Sequence, residues 1–145
     1  MSEKSYDPRM HTAEHILNQT MVRMFGCERS KNSHIERKKS KCDYRLAEEP
    51  SQQQLQQIEQ QVNDIINSDL LVTDEILDKT LAAEFLDLSK LPADSPQSIR
   101  VVRVGNYDAC ACIGPHVTRT SEIGKFSITT VSYNNGILRI RFRLD

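Results

Sequence analysis

Apolar residues recur at helical spacing in two stretches of the chain and alternate at strand spacing in several others. Within 8–25, Ile16, Leu17, Met21 and Met24 form one stripe. Asp7 stands where a helix cap belongs, Pro8 falls in the first turn, and Gly26 follows the last periodic residue, so a helix over 8–25 is expected. Leu55, Ile58, Val62, Ile65 and Ile66 repeat the pattern beyond Glu49-Pro50-Ser51, opposite a glutamine-rich face. They predict a second helix that packs on a sheet. Residues 70–73 read as a short strand, Thr73-Asp74 as the cap of a third helix over about 75–86, and 91–96 as a loop.

Residues 33–46 lack helical periodicity. Cys42, Tyr44 and Leu46 alternate with Asp43 and Arg45, the pattern of a half-buried strand, so this stretch reads as a polar hairpin or two short strands. Strands are also expected over 99–105 and 107–112. Residues 126–133 and 137–144 should pair as a hairpin about Asn134-Asn135-Gly136. In the last strand Leu138, Ile140, Phe142 and Leu144 alternate with Arg139, Arg141 and Arg143, giving one core face and one arginine row. The class is α+β: a single domain over 1–145, an antiparallel sheet packed with helices.

Composition narrows the function classes. The 145 residues are 38% hydrophobic and 27% charged, as a globular chain with a real core requires. A formal net charge of -1 argues against non-specific nucleic-acid binding but leaves local basic patches open. No apolar run reaches membrane-span length, and the N-terminus lacks the apolar stretch of an export signal, so a cytoplasmic address is expected. The cysteines at 27, 42, 110 and 112 then read as free thiols or metal ligands rather than disulfides.

The candidate chemistry lies in two ligand-x-x-x-ligand steps, His11-Thr12-Ala13-Glu14-His15 and Cys112-Ile113-Gly114-Pro115-His116. Residues four apart share a helix face, so His11 and His15 can point at one ion. Gly114 and Pro115 place the second pair on a turn. Three imidazoles and one thiolate form a tetrahedral N/S set for zinc, assembled only if the fold brings the two halves together. In the alternative the halves never meet and Cys112 is a small buried side chain. Cys110, one residue removed on a strand, would share the face of Cys112. Arg37, Lys38, Lys39 and Lys41 form a basic run that is either a solvated loop or a contact to phosphates, and the arginine row of the last strand divides the same way.

These residues resemble a known family. His11-Thr12-Ala13-Glu14-His15-Ile16-Leu17 is similar to the opening motif of the editing domain of alanyl-tRNA synthetase, shared with the freestanding AlaX proteins and with the threonyl-tRNA synthetase editing domain. Residues 99–105, then Cys112 to Val117, resemble the second motif, and 120–128 the segment that follows it. Ser33-His34-Ile35 and Cys42-Asp43-Tyr44 resemble the intervening strands, so the likeness covers nearly the whole chain. It implies a small freestanding member near the short AlaX type, which hydrolyses the ester of a mischarged tRNA, typically serine on an alanine or threonine tRNA. It also implies His11, His15, Cys112 and His116 as the ligands of Zn2+, and a cognate aminoacyl-tRNA synthetase as a partner. There are three departures. Glu14 stands where alanyl-type sites usually carry a hydroxyl, Cys110 where those synthetases carry an acid, and the Gly114-Pro115-His116 turn looks like the threonyl version.

Glu14, Cys110 and Gly114 are therefore the candidate substrate-binding residues. Glu14 can act as general base or accept the substrate ammonium, or it is a solvated helix residue. Cys112 is a ligand or, alternatively, a nucleophile activated by His15 or His116. Arg37, Lys38, Lys39 and Arg141 are the candidate tRNA contacts. The competing reading is a zinc-stabilised tRNA-binding module that acts beside a synthetase without hydrolysis.

Overall fold

Helix α1 (Pro8–Phe25) starts and stops where its capping residues place it. The Asp7 carboxylate accepts from the backbone N–H groups of Arg9 and Met10, and Gly26, at φ 67°, returns its N–H to the Val22 carbonyl. Only a residue without Cβ takes that left-handed geometry at no steric cost. Helix α2 (Gln52–Asn67) opens with a reciprocal capping box between Ser51 and Gln54. The structure, a computed structural model, describes residues 7–86 and 97–145. The expected loop at 91–96 lies outside them.

Among the described residues, seven strands form two antiparallel sheets. Strands β1 (Asn32–Ile35), β2 (Lys39–Arg45), β6 (Phe126–Asn134) and β7 (Ile137–Leu144) make a four-stranded sheet in the order β1-β2-β7-β6. Strands β3 (Val72–Asp78), β4 (Ser98–Val104) and β5 (Asp108–Ala111) make a three-stranded sheet in chain order. The β6–β7 turn holds Asn135 and Gly136 at φ 52° and 79°, the paired positive values of the tight turn that matches strand twist.

The alternation read in β2 and β7 decides how the layers stack. Cys42, Tyr44, Leu138, Ile140 and Phe142 point inward and are buried against Met10, Ala13, Leu17 and Met21 of α1 and Ile58, Val62 and Ile66 of α2. Each fully buried large side chain contributes about 1.5–3 kcal/mol. A second, smaller apolar cluster of Ala82, Ile99 and Val101 backs the three-stranded sheet. No helix among the described residues is long and apolar enough to cross a membrane.

One expectation fails. The helix over 75–86 is instead the continuation of β3, which runs from Val72 through Asp78. Only Lys79–Ala82, capped by Asp78 rather than Asp74, is helical (α3). The cause is pairing. β3 lies in register with β4 from Val72↔Val104 to Asp78↔Ser98, and its acids meet the arginines of that neighbour. Arg100 Nε donates to Asp74 at 2.8 Å and Arg103 Nε to Glu75 at 3.0 Å. A strand neighbour overrides the weak local helical preference.

Candidate metal centre

The first half of the centre sits on one face of α1, where the i, i+4 spacing stacks His11 and His15. Both are buried, at 7% and 3% exposed. The second half follows the end of β5, in the turn from Cys112 to Val117. That turn is braced from β4, since Arg100 Nη1 donates to the carbonyls of Cys112 (3.2 Å) and Gly114 (2.7 Å). It can approach α1 only because position 114 is glycine. A Cβ there would lie 2.2 Å from Cε1 of the His11 ring.

The two halves meet. The donor atoms of His11, His15, Cys112 and His116 all lie within 4.8 Å of one another. Cys112 Sγ is 3.4 Å from His11 Nε2 and 3.5 Å from His116 Nε2. Tetrahedral zinc bond lengths imply an N to S edge of about 3.5 Å, so these separations fit an ion among them.

Tautomers fit as well. His11 Nδ1 lies 3.1 Å from the Pro115 carbonyl, which can only accept, so Nδ1 carries the proton and Nε2 is left as the donor atom. His116 Nδ1 lies 2.9 Å from Thr12 Oγ1. The Thr12 hydroxyl gives its one proton to the Pro8 carbonyl at 2.9 Å and accepts from the Val117 N–H at 3.2 Å, so His116 Nδ1 again carries the proton and Nε2 is left facing the cluster. His15 Nδ1 faces Asp108 Oδ2 at 3.5 Å, an ion-pair distance too long for a good hydrogen bond, and Nδ1 has no other partner. The Gly114 N–H points at Cys112 Sγ at 3.4 Å.

Charge in the centre is strongly polarised. Burial opposes a thiolate at Cys112, but the three imidazoles gathered around its sulfur prevail and bring it down to about 3. Burial pulls the His15 imidazole down, and Asp108 with Cys112 more than offsets it, raising it to about 9. Asp108 resists burial through His15 and Arg29 and is held at about 2. His116 is lowered, first by burial. The cluster without a metal is thus a thiolate beside an imidazolium, and a divalent ion would take the place of the proton.

The other expected residues divide. Glu14 joins the centre, largely buried, its Oε1 3.9 Å from His11 Nε2. Gly114 joins it as the point of close approach. Cys110 stands two residues before Cys112 but outside the four-donor group. Burial pushes its thiol up to about 11, and it lines a cavity of about 350 Å³ with Gln19, Cys27, Arg29 and Phe85. Arg37 and Lys38 lie in the exposed β1–β2 turn, and Lys39 and Arg141 on the outer face of the four-stranded sheet. That sheet stands between them and α1. Sequence reasoning missed Thr12, Arg100, Asp108 and Arg29. The strand period that grouped Cys110 with Cys112 also puts Asp108 on that side, and this was the available signal.

Comparison with known proteins agrees with this geometry. Residues 99–141 match the model of the threonyl and alanyl tRNA synthetase second additional domain. The alanine--tRNA ligase of Treponema pallidum is 31% identical over 137 residues, covering 93% of this chain and 23% of that protein. The corresponding ligase of Coxiella burnetii is 32% identical over 126 residues, 86% of this chain and 14% of its own length. The chain thus spans less than a quarter of the relatives it matches. With both halves of the centre inside the aligned region, the chain belongs to the family of the threonyl and alanyl tRNA synthetase second additional domain.

Proposed function

We propose that this chain is a trans-editing deacylase of mischarged tRNA, one domain over 1–145 that works in the cytoplasm on serine attached to an alanine or threonine tRNA. The observation that most supports this is the convergence of His11, His15, Cys112 and His116 beside a largely buried glutamate, in a chain related to alanine--tRNA ligases. The four residues would hold Zn2+. When bound, a zinc ion supplies Lewis acidity near the scissile carbonyl.

The protein side chains supply positioning and proton transfer. Glu14 borders the donor atoms and takes a proton from the attacking water. Water adds to the ester carbonyl, the bond to the ribose oxygen breaks, and the proton passes to that oxygen. Free amino acid and uncharged tRNA result. The same carboxylate is placed to accept the substrate ammonium. Cys110 and Gly114 would line the amino-acid side of the pocket, with a neutral thiol at 110 in place of an acid. Cys112 serves as ligand rather than nucleophile, since three imidazoles around one sulfur exceed what a Cys-His pair needs. An acyl-thioester trapped on Cys112 would overturn that assignment.

The tRNA body would lie on basic residues away from the centre. Lys39 and Lys41 of β2 pair in register with Arg143 and Arg141 of β7, so these cations stand side by side on one outward face, with Arg37 and Lys38 at its end. Only phosphate contacts are asked of them. A second reading, a zinc-stabilised tRNA-binding module acting beside a synthetase, draws support from Cys110, where a carboxylate is missing.

The deciding experiment is deacylation of serine-charged alanine tRNA and serine-charged threonine tRNA by wild type and Cys112→Ala. Turnover of either by wild type, abolished in the variant, is expected. Salt-dependent tRNA binding with no turnover would favour the binding module.

A further inference from the structure

The three histidines differ in what holds their outer nitrogen. His11 meets a backbone carbonyl and His116 a threonine hydroxyl, both at hydrogen-bond distance. His15 meets a carboxylate, and that carboxylate is itself anchored. Asp108 is 4% exposed. Arg29 grips both its oxygens, Nη1 to Oδ1 at 2.7 Å and Nη2 to Oδ2 at 3.2 Å, and Gln19 Nε2 donates to Oδ1 at 2.9 Å. Oδ2, the oxygen on which Arg29 has the weaker hold, is the one that faces His15 Nδ1 at 3.5 Å. That nitrogen is the one buried side-chain polar atom without a hydrogen bond among the described residues.

A fixed acceptor and a donor without a partner stand one small ring movement apart. On the reading that the cluster binds a metal, we infer that Asp108 is a positioning residue. It fixes the Nδ1–H tautomer of His15, aims Nε2 into the cluster, and closes its hydrogen bond to His15 when the ion is held. Buried ligating histidines commonly bind such an outer carboxylate, and loss of one lowers metal affinity 10–100-fold. Arg29 and Gln19 set the carboxylate rather than the imidazole. Arg29, in the segment between α1 and β1, thereby ties that segment to the metal centre across 79 positions of sequence.

The test is competitive titration with Zn2+ against a chromophoric chelator, using the full chain. It compares wild type, Asp108→Asn, and the double variant Asp108→Leu/Arg29→Met, which removes the buried pair together and leaves no unpaired charge. Affinity should fall about 10–100-fold in both variants. In zinc-loaded wild type labelled with 15N-histidine, His15 should carry its proton on Nδ1 and bind through Nε2. Wild-type affinity in the double variant, or ligation of His15 through Nδ1, would overturn the role of Asp108 while leaving the metal reading intact. No zinc uptake by wild type would overturn both. The 15N measurement needs no variant, so it decides the matter even if neither variant folds.

Discussion

The four-donor cluster and the outer face of the four-stranded sheet both gather charged or ligating side chains, but they hold them in opposite ways. In the centre His11 and His116 are tied by a second group, and the turn that supplies Cys112 is clamped by Arg100 and admitted by Gly114. On the sheet face, Arg139 is locked, by two bonds to Asp43 at 2.8 and 2.9 Å, while Lys39, Lys41 and Arg141 project outward beside it. A preorganised cluster suits chemistry that tolerates no misplacement. A row of long, mobile cations suits a partner recognised by charge alone. Substitutions in the first region should act strongly one residue at a time and be insensitive to salt. Substitutions in the second should be graded, additive and salt-dependent.

The sharpest break is Cys112→Ala, which should lower Zn2+ affinity and deacylation by on the order of a hundredfold or more, measured by chelator competition and by release of labelled serine. Gly114→Ala comes next. Its Cβ would overlap the His11 ring, so the turn must retreat, at a cost of about 1–3 kcal/mol and about a tenfold loss of turnover, visible as a lower Tm of the folded chain. On the sheet face, Lys41→Ala and Arg141→Ala should each weaken tRNA binding severalfold and reduce the slope of log affinity against log salt by about one, leaving zinc uptake unchanged. A salt-independent loss there would erase the contrast between the two regions.

The smallest effect belongs to the locked pair. Arg139 holds Asp43 below its ordinary value of 3.8, through its hydrogen bonds first. A depressed carboxyl stabilises the fold above its unfolded pKa and loses that contribution as pH falls through the lower, folded value. Wild type should therefore lose a small increment of Tm below about pH 4. Asp43→Asn should show no such increment, and the variant also frees Arg139 for phosphate.

Much of this contrast was readable beforehand because it depends on periodicity. Four-residue spacing on α1 stacked His11 on His15, and two-residue spacing on β7 separated core from arginines. The turn over Asn135 and Gly136 was legible because few residues accept positive φ. What escaped the sequence depends on a neighbour. Asp74 and Glu75 look like solvated helix residues until Arg100 and Arg103 lie beside them on β4. Thr12 looks like filler between two ligands until His116 and Val117 arrive from the far end of the chain. Asp108 could have been placed on the side of Cys112, but its clamp by Arg29 and Gln19 joins three segments that share no periodic pattern.

The distance along the chain between the two halves of the centre also governs when it can exist. Cys112 meets His11 across 101 positions, and Val117 meets Thr12 across 105. At about 5–20 residues per second, α1 is synthesised roughly 5–20 s before Cys112 is added. Throughout that interval the nascent chain offers only a weak two-imidazole site. The fourth donor arrives only after both sheets have strands to pair, and closing so long a loop is among the later steps of folding. Metal held by the four-donor cluster would therefore report that both ends of this long loop have met, a state that a product stopped before His116 cannot reach.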